Sequence, residues 1–508
     1  MRSLINPKRN DMPFTRKPLL IFVLIFFNLF CFGKGHFTWT PALKQAYHDA
    51  LSLRFDRAAT ELAKVRENDP GNLLLLHVEN YLDFFRVYID EDEGEFRRLE
   101  KNKDLRLNRI AKEGDKSSPY YLFLQADIRL QWALARLKFE QYTTAFFETN
   151  KAFKLLTENG EKFPAFMPNK KDLGILHAMV GTIPGNYKWT VALLSSMDGS
   201  IGQGRSELQE VTNYAASHDF IYEMEVYVYY TYFLLHLDND YDEAWRFINT
   251  ANLDPAANPM ACFILANVAM RTVGGEAPLD ILSKRPKGPE FHPFYYLDYM
   301  TGLAKLHRLD ADAGIPLKRF VTHFKGKNFI KDAYQKLAWH ALLQGDLLGY
   351  KRQMEFCKTR GSEVVESDRS AAHAARSSEV PVVELLKARL LFDGGYFQRA
   401  YDLLKSKKAS DYFAIQNKLE FTYRMGRITH SLGRYSEALQ YYQATIDKGA
   451  NEPWYFACRA ALERGHIFEV QGNMAAARTA FERCLKITPE DYKSGLHQQA
   501  KAGLRRLK

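Results

Sequence analysis

The chain has 508 residues, 46% of them hydrophobic and 14% aromatic, with a formal net charge of +10. That is too long for one small core and too apolar for a disordered chain, which leaves a few globular domains or one continuous repeat array. Of the 70 bases and 60 acids, six bases and one acid fall in the first 35 residues, so the remainder is only mildly basic and nucleic-acid binding is not implied.

The first element is a segment rather than a domain. Arg2, Lys8, Arg9, Arg16 and Lys17 precede an apolar run from Leu19 to Phe32, and Gly33-Lys34-Gly35 follows. A basic region, a short apolar region and a small-residue site describe a secretory signal peptide over residues 1–35. Fourteen residues reach about 21 Å as a helix against a hydrocarbon core of roughly 30 Å, so an anchor formed by residues 19–32 is the alternative. The chain is expected to be exported to a periplasm, cell envelope or medium, with membrane association only if this segment stays uncleaved.

Residues 36–162 read as degenerate helical repeats. Phe55-Asp56-Arg57-Ala58 with Pro70 opens one unit, and a long helical stretch from Pro119 ends at Gln141-Tyr142-Thr143-Thr144-Ala145. The acidic run Asp90-Glu91-Asp92-Glu93 lacks the alternating ligands and central glycine of a calcium loop, so a solvated loop is expected. Residues 163–212 break the rhythm, with Pro164, Pro168 and Pro184 among Gly174, Gly181, Gly185, Gly199, Gly202 and Gly204. They are read as helical but not as a hairpin repeat.

Residues 213–360 hold further degenerate units: Asp240-Tyr241-Asp242-Glu243-Ala244 with Pro255, Gly302 to Phe324, and Gly345 to Cys357 after Tyr334 to Ala341. The aromatic run Tyr222 to Phe233 spreads around its cylinder, so packing on both sides is expected; a ring platform for a ligand is the competing reading. Residues 361–380, rich in Ser, Ala and charge, are a linker or an extra helix.

Residues 381–508 carry the clearest signal. Gly395-Tyr396-Phe397-Gln398-Arg399-Ala400, Gly433-Arg434-Tyr435-Ser436-Glu437-Ala438 and Gly472-Asn473-Met474-Ala475-Ala476-Ala477 place their glycines 38 and 39 residues apart, each between stretches of helical apolar period. Strand signals are nearly absent, and the whole chain is expected to be all-α, an α-solenoid of seven or eight helical hairpins.

Small residues stand at Ala388, Gly426 and Gly465, and again at Ala400, Ala438 and Ala477; bulky ones stand at Phe397, Tyr435, Met474, Tyr442 and Phe481, and Pro489 closes the last unit. This pattern resembles the tetratricopeptide repeat, which implies a right-handed superhelix of paired helices and a concave face that binds a protein or peptide partner. Leu173 to Pro184, Tyr187-Lys188-Trp189 and Gly202-Gln203-Gly204-Arg205 resemble the central segment of the tetratricopeptide repeat protein 39 and mitochondrial inclusion-body-clearance family, which is adaptor-like and offers no catalytic residues.

Reactive chemistry is hard to find. Gly202-Gln203-Gly204-Arg205 lacks the third glycine of a dinucleotide loop, Gly326-Lys327-Asn328 is no phosphate loop, and no zinc-protease or serine-hydrolase motif occurs. No metal, cofactor or catalytic site follows, and the chain is read as a non-enzyme. Cys262, Cys357, Cys458 and Cys484 form no framework, though a Cys458–Cys484 bridge is possible.

In the resembling family the first helix of each unit lines the concave face. On that register Arg389, Arg427 and His466 occupy one equivalent place in three units, with Tyr423, His430 and Arg459 beside them and Phe392 at the edge. Such a ladder would grip carboxylates of an extended peptide; the alternative is internal pairing with Glu420, Asp393 and Glu469. The expected function is an exported, non-catalytic scaffold or adaptor binding a protein or peptide partner. An envelope-associated carbohydrate- or lipid-binding protein is the second reading.

Overall fold

The structure is a computed structural model and describes residues 35–182, 197–377 and 379–507. The basic and apolar segment before Gly35 and the Tyr187-Lys188-Trp189 motif lie outside the described residues. Among the described residues there is no strand, only isolated bridges pairing Gly35 with Gly114 and His36 with Asn72. The molecule is an all-α solenoid of paired helices.

The pairs follow one another along the chain: α1 (Pro41–Leu51) with α2 (Phe55–Asn68), α3 (Leu74–Asp90) with α4 (Glu93–Glu113), α5 (Tyr120–Lys138) with α6 (Tyr142–Lys162), and α7 (Pro168–Gly181) with α8 (Ile201–Ala215). Next come α9 (Glu223–Phe233), which ends in a π-turn over Leu234–Asp238, with α10 (Tyr241–Thr250); α11 (Pro259–Thr272) with α12 (Ala277–Ser283); α13 (Tyr296–Arg308) with α14 (Gly314–His323); and α15 (Ile330–Leu343) with α16 (Leu347–Thr359). A lone helix, α17 (Glu366–Ser377), intervenes. Three pairs complete the chain: α18 (Val383–Asp393) with α19 (Phe397–Leu404), α20 (Ile415–Ser431) with α21 (Tyr435–Gly449), and α22 (Phe456–Val470) with α23 (Met474–Lys486), closed by α24 (Lys493–Arg506). That is eight described pairs before α17 and three after it, more than the seven or eight the sequence suggests.

Local chemistry places the ends. Thr40 accepts from the Leu43 amide at 3.2 Å and Pro41 opens α1; Asn258 and Pro259 do the same for α11. Asp92 caps α4 through the amides of Gly94 and Glu95. Ten of the eleven pairs are joined by turns described in full, and each of these holds a left-handed residue: Leu53, Glu91, Glu140, Asn239, the Gly274-Gly275 pair, Leu309, Gly345, Gly395, Gly433 and Gly472. The loop between α7 and α8 includes residues outside the description.

Packing follows the small-residue pattern. Ala400, Ala438 and Ala477 are fully buried, and a Cβ at Gly465 would lie 2.3 Å from the Phe481 ring. Met474, one of the bulky residues of the repeat pattern, is instead 49% exposed. The described residues of 163–212 form a packed helix pair. A Cβ at Gly204 would sit 2.4 Å from the Gly174 carbonyl, so glycine lets α8 lie directly on α7. The stretch 361–380 contains α17, whose Asp368 is buried and accepts from the Phe329 and Asp332 amides at the start of α15. The Cys458 and Cys484 thiols are free and 3.5 Å apart, in contact but not bridged.

The N-terminal half closes on itself. His292 donates its backbone amide to the Leu53 carbonyl at 2.7 Å and its ring reaches Asp90 at 2.9 Å; Asn328 donates to Glu91 at 2.7 Å and Lys325 to Asp92 at 3.0 Å. The acidic run 90–93 is therefore a clasp between distant units, not a solvated loop. Lys138 also reaches Glu91 at 2.8 Å, so the run is matched by positive charge on both sides.

Inside this turn α3, α5, α7 and α9 converge on a polar core. The ammonium of Lys171, fully buried, stands 3.1 Å from Asp127, 3.0 Å from Asp172 and 2.7 Å from Glu225. Burial alone would strip its proton; the three carboxylates outweigh that and hold its pKa well above the ordinary lysine value. Tyr47 and Tyr81 donate to Glu225, and His77 meets Asp127 at 2.7 Å.

The two halves meet at a glycine contact. Gly275 donates to the Gly394 carbonyl at 2.7 Å, and the Tyr396 hydroxyl donates to Gly275 at 2.9 Å. His307 of α13 borders the same joint, against Gly394.

Candidate functional site

The C-terminal half leaves its inner face open. Helices α20, α22 and α24 form one wall of a groove of about 510 Å³, and Glu366 at the start of α17 stands on the other. Tyr492 ties the walls together: its hydroxyl meets Ser370 at 2.9 Å, while neighbouring Asp491 lies 3.4 Å from His373. The helix in the stretch read from sequence as a linker or an extra helix thus becomes a side of the groove.

Three tyrosines run along the floor. Tyr423 packs edge-on to Tyr455 with ring centroids 5.7 Å apart, and Tyr455 packs edge-on to Tyr492 at 5.1 Å. Burial pushes the Tyr423 hydroxyl up to about 12, so it stays protonated as a donor. Above this row stand Arg427 and Arg459. The Arg427 guanidinium lies 4.1 Å above the Phe392 ring, and among the described residues no carboxylate pairs with it. Arg459 donates to Glu463 at 2.7 Å and also lines the groove, along with Gln499 and Ser494 of α24.

The sequence-derived ladder divides here. Tyr423, Arg427 and Arg459 come together in the groove. His430 and His466 turn instead toward Glu463, at 4.0 and 3.4 Å, where Arg459 also arrives. Burial raises the Glu463 carboxyl, but His466 and Arg459, with a longer-range contribution from Arg427, outweigh it and bring the pKa down to about 2, so Glu463, His430, His466 and Arg459 form an internal ionic knot. Arg389 is paired with Asp393 at 3.6 Å and lies over the Trp339 ring at 4.8 Å, one unit away from the groove. Phe392 serves as the platform beneath Arg427. Internal pairing therefore holds for Arg389, His430 and His466. Of the pairings weighed from sequence, only Arg389 with Asp393 forms: Glu420 takes Arg424 and Glu469 takes Arg506.

Tyr455, Tyr492 and Glu366 escape repeat reasoning. Tyr455 and Tyr492 each sit just before a first helix, at positions the repeat pattern does not constrain, and Glu366 comes from the inserted helix. A tyrosine ahead of each of two successive first helices was the available signal. The arrangement offers one planar cation above aromatic faces, with a second guanidinium nearby, in a channel open to solvent, which suits a carboxylate beside an apolar or ring-bearing side chain. Among the described residues no group of three or more His, Cys, Asp or Glu could hold a metal ion.

A family model described as a tetratricopeptide repeat matches residues 459–491. That window holds most of α22, all of α23 and the approach to Tyr492. No curated protein matches the sequence. Among solved structures, the crystal structure of the yeast Tom70 is similar over 92% of this chain and 95% of its own, at 13% identity and a TM-score of 0.23. The helices themselves, rather than that likeness, carry the fold.

Proposed function

We propose that this chain is a non-catalytic scaffold whose C-terminal groove captures an acidic, aromatic-bearing segment of a partner protein. The observation that carries the reading is Arg427: a guanidinium 4.1 Å above the Phe392 ring, without a carboxylate paired to it, beside a row of tyrosines. Tetratricopeptide repeats commonly present such inner faces to extended peptides, and the matched repeat lies in the wall of this groove.

Fluorescence anisotropy against a panel of short peptides tests it, comparing Asp/Glu- and Tyr/Phe-containing sequences with amide-substituted versions of the same sequences. The acidic set binds and the amide set does not; Arg427→Ala with Arg459→Ala weakens binding by about 10- to 100-fold, as expected for two charge-assisted contacts. Equal binding of both sets, or no loss in the double variant, overturns the reading.

We further propose that the protein works outside the cytoplasm, its first 35 residues serving as a signal peptide, with an uncleaved anchor over residues 19–32 as the alternative. N-terminal sequencing of the protein recovered from its native compartment decides between them. Kinship with the tetratricopeptide repeat protein 39 and mitochondrial inclusion-body-clearance family is a finer proposal and rests on residues 163–211.

A further inference from the structure

A second cavity, of about 320 Å³, lies in the N-terminal half between α3, α5, α9 and α11, within the size range of small-molecule sites. The aromatic run that the groove leaves unexplained builds one wall. Tyr222, Tyr230 and Phe233 are buried in the core, while Tyr229 and Tyr232 turn into this cleft, the latter 47% exposed at its rim. Opposite them Tyr81, Phe84, Phe85 and Tyr88 line one stripe of α3, and Phe263 of α11 closes a side.

Glu225 forms the floor, and behind it the charges do not balance. Three carboxylates, Asp127, Asp172 and Glu225, surround one lysine, Lys171. His77 Nε2 faces Asp127 at 2.7 Å, and its buried Nδ1 has no partner. Burial raises the Asp172 carboxyl well above the usual carboxylate range, with Lys171 opposing it. Carboxylates thus outnumber the lysine three to one beneath the cleft.

The site already holds one ammonium. Lys171 Nζ lies 5.2 Å from the Tyr222 ring centroid, 5.3 Å from that of Tyr229 and 5.7 Å from that of Phe123. Tyr229 belongs to both places, contacting Lys171 and lining the cleft. Positive groups at the outer end are occupied or distant from the floor. Lys138 is paired with Glu91, exposed Arg271 donates to Asn267, and burial lowers the His236 pKa so that its ring is neutral near pH 7.

We propose that this cleft binds a small hydrophobic organic cation, an alkyl- or arylammonium, with its head among Tyr81, Tyr229 and Glu225 and its apolar body toward Phe84, Phe263 and Tyr232. The partner-binding groove takes no part in this site.

Ligand-observed NMR titration of the full chain tests it with three probes of similar size: phenyltrimethylammonium, its uncharged isostere tert-butylbenzene, and benzoate. The cation binds about tenfold more tightly than the neutral probe, and benzoate does not bind. Leu134→Trp, at a rim position 40% exposed, blocks all binding without touching the core. Tyr229→Leu and Glu225→Gln each remove the preference for the cation while leaving the neutral probe unchanged. Arg427→Ala with Arg459→Ala leaves every probe unaffected. Equal affinity for cation and neutral isostere, tighter binding of benzoate, or binding that survives Leu134→Trp overturns the proposal.

Discussion

The two halves of the molecule use one hairpin for opposite ends. Before α17 the inner helices converge, fill their shared interior with Lys171, its carboxylates and a packed set of rings, and are clasped shut by residues 90–93. After α17 small residues bring the helices together in regular register, and the inner face is left as an open channel lined by Arg427, Arg459 and tyrosines. A paired-helix repeat fixes how neighbours stack. Whether the inner face becomes a core or a receptor depends on what that face carries and on whether the turn closes.

The largest effect that would break this contrast is loss of the buried lysine. Lys171→Met leaves carboxylates uncompensated in the interior and costs about 3–5 kcal/mol, read by denaturant unfolding. Arg427→Met in the open half costs less than about 1 kcal/mol. Similar losses at the two sites would mean that the halves do not differ as described.

The joint between the halves gives the next effect. Burial, helped by Lys336 and Arg389 and opposed by Asp393 and Asp332, lowers the His307 pKa to about 4. The unfolded chain takes up a proton near 6.5 and the folded chain does not, so stability falls as pH drops from about 6.5 to about 4. The loss approaches about 3 kcal/mol. Thermal unfolding across that window, compared with His307→Asn, shows a slope that the variant flattens.

The smallest effect lies in the turns. Glu140 is exposed and left-handed at φ +60°, so Glu140→Gly stabilises by about 1 kcal/mol; Gly433 is left-handed at φ +72° in open space, and Gly433→Ala destabilises by about 1–2 kcal/mol. Opposite signs at equivalent turns, read as shifts in unfolding midpoint, sharpen the comparison. Equal signs would separate the turns of the two halves.

Those turns also explain what was legible. Gly395, Gly433 and Gly472 advertise the repeat because glycine stands where the backbone must turn left-handed; Leu53, Glu91, Glu140 and Leu309 adopt the same conformation without the residue that signals it. The upstream hairpins were consequently undercounted. The acidic run was misread because its partners, His292, Lys325 and Asn328, lie more than 200 residues away and no local pattern reveals them. In the groove, register alone placed Tyr423, Arg427 and Arg459 together. It could not show that Glu463 draws His430 and His466 aside, because Glu463 lies on the same helix as His466 but the geometry that joins all three spans two units.

The clasp has a consequence for how the protein is made. Glu91 and Asn328 are separated by 237 residues, so the clasp cannot close until the ribosome has produced most of the N-terminal half. At about 5–20 residues per second that interval is on the order of 10–50 s. During it the acidic turn has Lys138 but lacks His292, Lys325 and Asn328. A nascent chain of this design relies on protection against aggregation early in its synthesis, long before its open groove exists.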